Sequence, residues 1–218
     1  MTDNLQHKRP KAAKDPNKPK APRKISEKYL RNAGLHYLKR FTASSSHFKT
    51  VMMRKIDKSC RWHTDTDKQQ CVKWLDIVTD EFIEAGYLND EQYTFGLVNS
   101  MRRSGKSKRI IQMKLRQKGV SDNLVISAFE KYEDQYDDNA NFELICALKH
   151  AKKKKLGAFS KNKISKMADT ICTDNEAAFK DQQKQLANLA RAGFSFDISK
   201  KALDMNEDDA LDLIGSLD

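Results

Sequence analysis

The sequence predicts an all-α fold of tandem three-helix repeats in an elongated array, preceded by a disordered basic tail. Three observations predict it. All four prolines, Pro10, Pro16, Pro19 and Pro22, lie in the first 24 residues, so the main helix breaker is missing from Ile25 onward. Apolar residues recur at three- and four-residue spacing through the rest of the chain, and no stretch alternates convincingly as a strand would. The helical pattern also matches itself when the chain is shifted along its own length.

Residues 1–24 carry eight Lys or Arg against only Asp3 and Asp15. Such a segment cannot bury enough apolar surface to offset the entropy of ordering, so it is expected to be a disordered tail. Helices are then predicted near 26–41 and 44–57, the second on a stripe of Phe48, Met52 and Ile56. Cys71, Trp74, Leu75, Val78 and Phe82 place the next near 66–85, closed by Gly86. Asn89-Asp90 opens a helix near 89–103 on Tyr93, Leu97 and Met101, and Ser104-Gly105 ends it. A helix near 107–118 stops at Gly119, and Ser121, a good N-cap, starts one near 121–134 on Leu124, Val125, Ala128, Phe129 and Tyr132. Helices near 139–155, 177–191 and 195–204 follow, with Lys161 to Ile171 and the acidic end from Asn206 to Ser216 as further candidates.

A shift of 74 positions sets Leu115, Gly119, Val120, Ser121, Leu124, Ala128 and Phe129 over Leu189, Gly193, Phe194, Ser195, Ile198, Ala202 and Leu203. A fainter shift of 63 sets Arg103, Ser107, Ile111, Leu115 and Lys118 over Arg40, Ser44, Phe48, Met52 and Lys55. The simplest account is three helical triplets, at 25–86, 87–136 and 137–205, the last with a lysine-rich insertion, followed by an acidic segment at 206–218. Stacked repeats bury their faces on their neighbours, which is why an elongated array is expected. Each link glycine is expected to supply a left-handed helix cap, where a β-carbon would be costly.

With 39% hydrophobic and 33% charged residues, the 218-residue chain can build cores only from such concentrated stripes. Its formal charge of +11 and pI near 9.4 predict attraction to polyanions, nucleic acid first among them. No apolar run of about 18 residues exists, and no hydrophobic segment follows the N-terminal charges. Neither a membrane span nor a secretory signal is expected, and the protein should stay in the cytoplasm, as a monomer. Cys60, Cys71, Cys146 and Cys172 are widely separated and are expected to be reduced thiols. Cys60, His63 and Cys71 are too few and too loosely spaced for structural zinc, so no metal or cofactor is expected.

Catalytic motifs fail on inspection. Gly105-Lys106-Ser107 resembles the end of a phosphate-binding loop, but Ser100 stands where that motif needs a glycine, and the preceding segment is helical. Asp137, Asn139 and Asn141 echo a calcium loop, yet Phe142 and Leu148 occupy its glycine and acidic positions, leaving a helix start with capping side chains. The histidines, His7, His36, His47, His63 and His150, are scattered, and Glu133-Asp134 and Asp208-Asp209 point in different directions around their helices. No enzymatic activity is expected.

Basic clusters carry the functional signal. Between Ser100 and Lys118 lie Arg102, Arg103, Lys106, Lys108, Arg109, Lys114, Arg116 and Lys118 without one acid. Between Lys149 and Lys166 lie eight lysines, Lys152, Lys153, Lys154 and Lys155 consecutive among them, again without an acid. Ordinary solvated helix faces mix signs, so these residues are the candidate contacts for single- or double-stranded DNA or for an acidic partner. Tyr93, Phe95, Phe129 and Phe142 lie on apolar stripes, which assigns them to core packing rather than base stacking.

The stretch Gly86-Tyr87-Leu88-Asn89-Asp90-Glu91-Gln92-Tyr93, the basic turn from Arg102 to Arg109, Leu115-Arg116-Gln117-Lys118-Gly119-Val120 and the helix from Leu124 to Phe129 together resemble the RecX family of bacterial recombinase regulators. Tyr29-Leu30-Arg31-Asn32-Ala33 upstream and Leu189-Ala190-Arg191-Ala192-Gly193-Phe194-Ser195 downstream look like its flanking repeats, so the resemblance covers about residues 25–204. It implies a non-enzymatic array that lies along a RecA–DNA filament and inhibits its recombinase, ATPase and coprotease activities. A second reading rests on Asp15-Pro16-Asn17-Lys18-Pro19-Lys20-Ala21-Pro22, which looks like the entry strand of an HMG-box. Ile25-Ser26-Glu27 then stands where that domain's aromatic cluster belongs. On this reading the chain is a general DNA-binding protein of the nucleoid type.

Overall fold

The computed structural model describes residues 21–135, 141–160 and 175–215. Within them the chain is all-helical, with no strand: α1 (Glu27–Leu38), α2 (Ser45–Trp62), α3 (Lys68–Glu84), α4 (Asp90–Arg103), α5 (Lys108–Gln117), α6 (Asp122–Glu133), α7 (Phe142–Lys154), α8 (Asn175–Arg191), α9 (Phe196–Asp204) and α10 (Glu207–Gly215), with one 3-10 turn at Gly157–Phe159 after α7. The segment from Lys161 to Ile171 and Cys172 lie outside the described residues, as do residues 1–20 of the expected tail. Among the described residues no helix is long and apolar enough to cross a membrane.

Local chemistry sets most of the helix starts. The side chains of Ser26, Ser44, Asp67, Asn89, Ser107, Asn141 and Ser195 each accept a backbone N–H from the first turn, satisfying one of the donors a helix leaves without an internal partner. Ser121 departs from expectation. It occupies the N-cap position in extended backbone, yet its side chain makes no capping bond. The link glycines Gly86, Gly105, Gly119 and Gly193 all have positive φ.

Several boundaries differ from the sequence reading, among them the end of α1, at Leu38 rather than near 41, and the start of α7, at Phe142 rather than near 139. α2 runs on to Trp62 rather than stopping near 57, because Ser59 and Cys60 continue its packed face. Residues 22–24, assigned to the tail by composition, lie against that extension. Ser59 Oγ donates to the Arg23 carbonyl at 3.0 Å, His63 Nε2 is 2.9 Å from the Pro22 carbonyl, and Lys24 pairs with Asp65 at 2.5 Å.

The buried side chains fall into three clusters along the chain. The first gathers Leu30, Phe48, Met52, Ile56, Leu75, Val78 and Phe82 from α1–α3, with the Phe48 and Phe82 rings 5.6 Å apart. The second gathers Val98, Ile111, Leu115, Val125, Phe129 and Tyr132 from α4–α6. The third gathers Leu144, Leu148, Leu189, Phe194, Ala202 and Leu203 from α7–α9. Each large apolar side chain fully buried in this way stabilises its cluster by about 1.5–3 kcal/mol. The strongest helix–helix contacts all stay inside one cluster. The acidic end is not a separate appendage, since Ala210 and Ile214 of α10 are buried in the third cluster.

Candidate basic interface and the joints that position it

Two equivalent joints link the three units. At the first, Ser44 Oγ donates to the Lys118 carbonyl at 2.6 Å, and the Asp90 carboxylate accepts from the Ser45 backbone N–H and hydroxyl, both at 2.6 Å. At the second, Ser107 Oγ donates to the Ala192 carbonyl at 2.6 Å, and the Glu143 carboxylate accepts from the Lys108 N–H at 3.1 Å. In both, a unit's second helix begins at a serine that caps it and also bonds the carbonyl just past the end of the next unit's second helix. In both, an acid from the start of the next unit's first helix meets the same N-terminus, where the helix dipole favours negative charge.

These joints give the internal offsets a physical meaning. The shift of 63 carries Ser44 onto Ser107, and the shift of 74 carries Gly119 onto Gly193. Gly119 and Gly193 have φ of +71° and +86°, and a β-carbon on either would meet the neighbouring unit: Ser46 Oγ at 2.0 Å and Ser107 Oγ at 2.5 Å. Glycine is needed at both positions for the left-handed turn and for the close approach.

α5 is therefore locked at both ends and fully buries only Ile111 and Leu115, with Ile110 and Gln112 half-buried and its other side chains exposed. Arg103, Lys108, Arg109, Lys114 and Arg116 are exposed, and Lys106 and Lys118 half-buried. Arg116 is partly neutralised by Asp122 at 2.7 Å, and Lys108 lies 3.8 Å from Glu133 and 4.9 Å from the Phe129 ring centroid. Lys152, Lys153 and Lys154 end α7 exposed, and Lys155 caps it in left-handed backbone.

Arg102 corrects the sequence reading. Its side chain is 2% exposed, with Nη1 2.6 Å from Glu143 and the guanidinium 5.0 Å from the Phe129 ring centroid, so it is a structural cation at the second joint and offers nothing to solvent. The aromatics behave as expected of core residues. Phe129 is 1% exposed, Phe142 packs edge-on to Tyr132 at 5.6 Å, and Tyr93 and Phe95 pack against the second cluster.

The fold also assembles what the linear sequence kept apart. Lys106, Lys114 and Lys154 line one cleft of about 400 Å³ with Arg191, His150 and Asn188, between α5, α7 and α8. Arg191 had entered the sequence analysis only within the repeat signature. The available signal was that signature itself, because the residues just before Gly193 end the helix equivalent to α5.

His47 lies half-buried at the first joint. Burial holds its pKa below the usual 6.5, and Lys118 and Arg54 push it the same way. A histidine with a depressed folded pKa takes up its proton more readily when unfolded, so folding stability falls as pH drops below about 6.5 toward the depressed value. His47→Gln is expected to shrink the decline in melting temperature between about pH 7.5 and 5.5. An unchanged slope of melting temperature against pH would rule out His47 as its source.

Comparison with known proteins agrees with the helical order. A family described as "RecX, second three-helix domain" matches residues 89–128, spanning α4, α5 and most of α6. The chain is 37% identical over 190 residues to "Regulatory protein RecX" of Myxococcus xanthus (strain DK1622), covering 86% of this chain and 91% of the relative. It is 25% identical over 186 residues to "Regulatory protein RecX" of Agrobacterium fabrum (strain C58), covering 85% and 88%. Its fold matches the crystal structure of RecX from Lactobacillus salivarius with a TM-score of 0.53 at 20% identity, over 81% of this chain and 94% of that one.

Proposed function

The chain belongs to the RecX family of regulatory proteins, and from that premise we propose that it inhibits RecA by binding the RecA–DNA filament, modulating its recombination, ATPase and coprotease activities during DNA repair. It acts in the cytoplasm as a monomer, without catalysis of its own. The observation that carries this reading is the pair of equivalent joints, which set three like units in series. A partner that itself repeats along a polymer can be engaged by successive units, each adding binding without a new loss of translational freedom. Support for a polyanionic or acidic partner comes from the exposed cations of α5 and the end of α7, most of which have no acid beside them.

The test is the single-stranded-DNA-dependent ATPase of the host recombinase. Titrated with this protein while RecA stays in excess, the rate is expected to fall, and to stay low when a large excess of bare DNA competitor is added. A rate that is untouched, or that recovers as competitor DNA absorbs the protein, would replace this reading with general nucleic-acid binding.

A further inference from the structure

We infer that the cleft between α5, α7 and α8 is a binding site for the phosphodiester backbone of single-stranded nucleic acid. The inference deepens the reading above and rests on its nucleic-acid contact rather than on contact with RecA itself.

The cleft is lined by Gly105, Lys106, Ile110, Met113, Lys114, His150, Lys154, Asn188, Arg191 and Ala192. Four cations therefore converge, Lys106 from the link before α5 and the others from α5, α7 and α8, and no acid is among the lining residues. Lys106, Lys114 and Lys154 make no ion pair among the described residues. Arg191 is held by one edge, its Nε donating to the Ala187 carbonyl at 3.1 Å, which leaves both Nη groups for a ligand. His150 Nε2 and Asn188 Oδ1, 3.2 Å apart, occupy each other and leave the Asn188 amide hydrogens as neutral donors on the same wall. Holding like charges together without counter-charge is unfavourable, and a ligand bearing a charge on every residue relieves it at all four cations at once.

The remaining wall selects the ligand further. Met113 is 45% exposed and Ile110 half-buried, an apolar strip beside the cations. A duplex keeps its base faces stacked inside, whereas a single strand can lay a sugar or base against such a strip while its phosphates meet the cations. The volume of about 400 Å³ is in the range of small-ligand sites and larger than one carboxylate needs, which favours a nucleotide-sized occupant over an acidic side chain. The second joint fixes the geometry, since it ties α5 to the end of α8 through Ser107 and Ala192.

The experiment is fluorescence anisotropy of the full chain with a labelled oligothymidylate of about 20 nucleotides, and with its duplex, across a sodium chloride series. Lys114→Gln with Arg191→Gln is compared with Lys58→Gln and Lys73→Gln, which remove the same charge from exposed positions on the first unit. Loss of two single-strand phosphate contacts is expected to reduce the slope of log affinity against log salt by about 1.4, and to weaken binding roughly tenfold near 0.1 M salt. The control pair should leave the slope in place, and the single strand should bind more tightly than the duplex.

Equal losses in both pairs would mean a diffuse field and no site. Loss of binding to DNA-free RecA, with oligonucleotide binding intact, would make the cleft a protein-docking site; either result overturns the inference. A reduced slope beside an ATPase that never responds keeps the cleft and removes the recombinase reading, while the reverse pattern does the opposite.

Discussion

Arg102→Ala is expected to lower the unfolding free energy by about 3 kcal/mol, whereas Arg103→Ala, one residue along, should stay within about 0.5 kcal/mol. The buried guanidinium bridges α4 to α7 through Glu143, lies over Phe129 and touches Cys146, whose Sγ is 3.7 Å from Nη1. Truncation leaves the Glu143 carboxylate, only 27% exposed, without its cation, removes a cation–aromatic contact and opens space beside a packed ring. The Lys108 N–H still bonds Glu143, which is why the expected cost sits at the lower end for a broken buried pair. Urea denaturation of the two variants measures the difference. Arg102→Met combined with Glu143→Gln should recover part of the loss, because the uncompensated charge is gone while the volume is filled. An Arg102→Ala variant as stable as Arg103→Ala would show that the pair holds nothing together.

Gly193→Ala is expected to cost about 2–4 kcal/mol and to disturb the second joint. Left-handed backbone costs an alanine about 1–2 kcal/mol, and forcing a methyl into packed space adds about 1–3 kcal/mol. The added carbon would meet Ser107 Oγ at 2.5 Å and Ile110 Cγ1 at 3.1 Å, and Ser107 is fully buried, so it has little room to yield. Its hydroxyl also holds the Ala192 carbonyl and caps α5, and displacing it exposes both groups. Adding Ser107→Gly removes the closer clash but neither the Ile110 contact nor the strained φ, so the double variant should show a favourable coupling of order 1 kcal/mol in a double-mutant cycle. Gly96→Ala is the control, an exposed position inside α4 with open space around it, where alanine should stabilise by about 0.5–1 kcal/mol. If Gly193→Ala matched Gly96→Ala, neither the left-handed turn nor the close approach would be a requirement of the joint.

Much of this protein was legible because the relevant physics is local. Apolar spacing, capping side chains and proline-free sequence are properties of a few neighbouring residues, and they placed the helices to within a few residues, with α2 the main exception. The end of α2 was missed because its last turn is held by Arg23 and Pro22, far away in sequence. The offsets of 63 and 74 were legible because both joints use the same residue types, serine at one helix start and glycine at the matching helix end.

Which basic residues face outward was not legible. Arg102 and Arg103 are the same side chain to any composition or charge count, yet adjacent positions differ by about 100° around a helix, and only the docking of α7 decides which one is enclosed. The cleft depended on docking in the same way, since Lys106, Lys154 and Arg191 lie on separate segments that meet only when α5, α7 and α8 pack together. The sequence by itself determined the helices, the repeat and the excess of positive charge. The tertiary structure decided which charges hold the units together and which converge on one cleft, because burial and convergence depend on contacts between residues far apart in the chain.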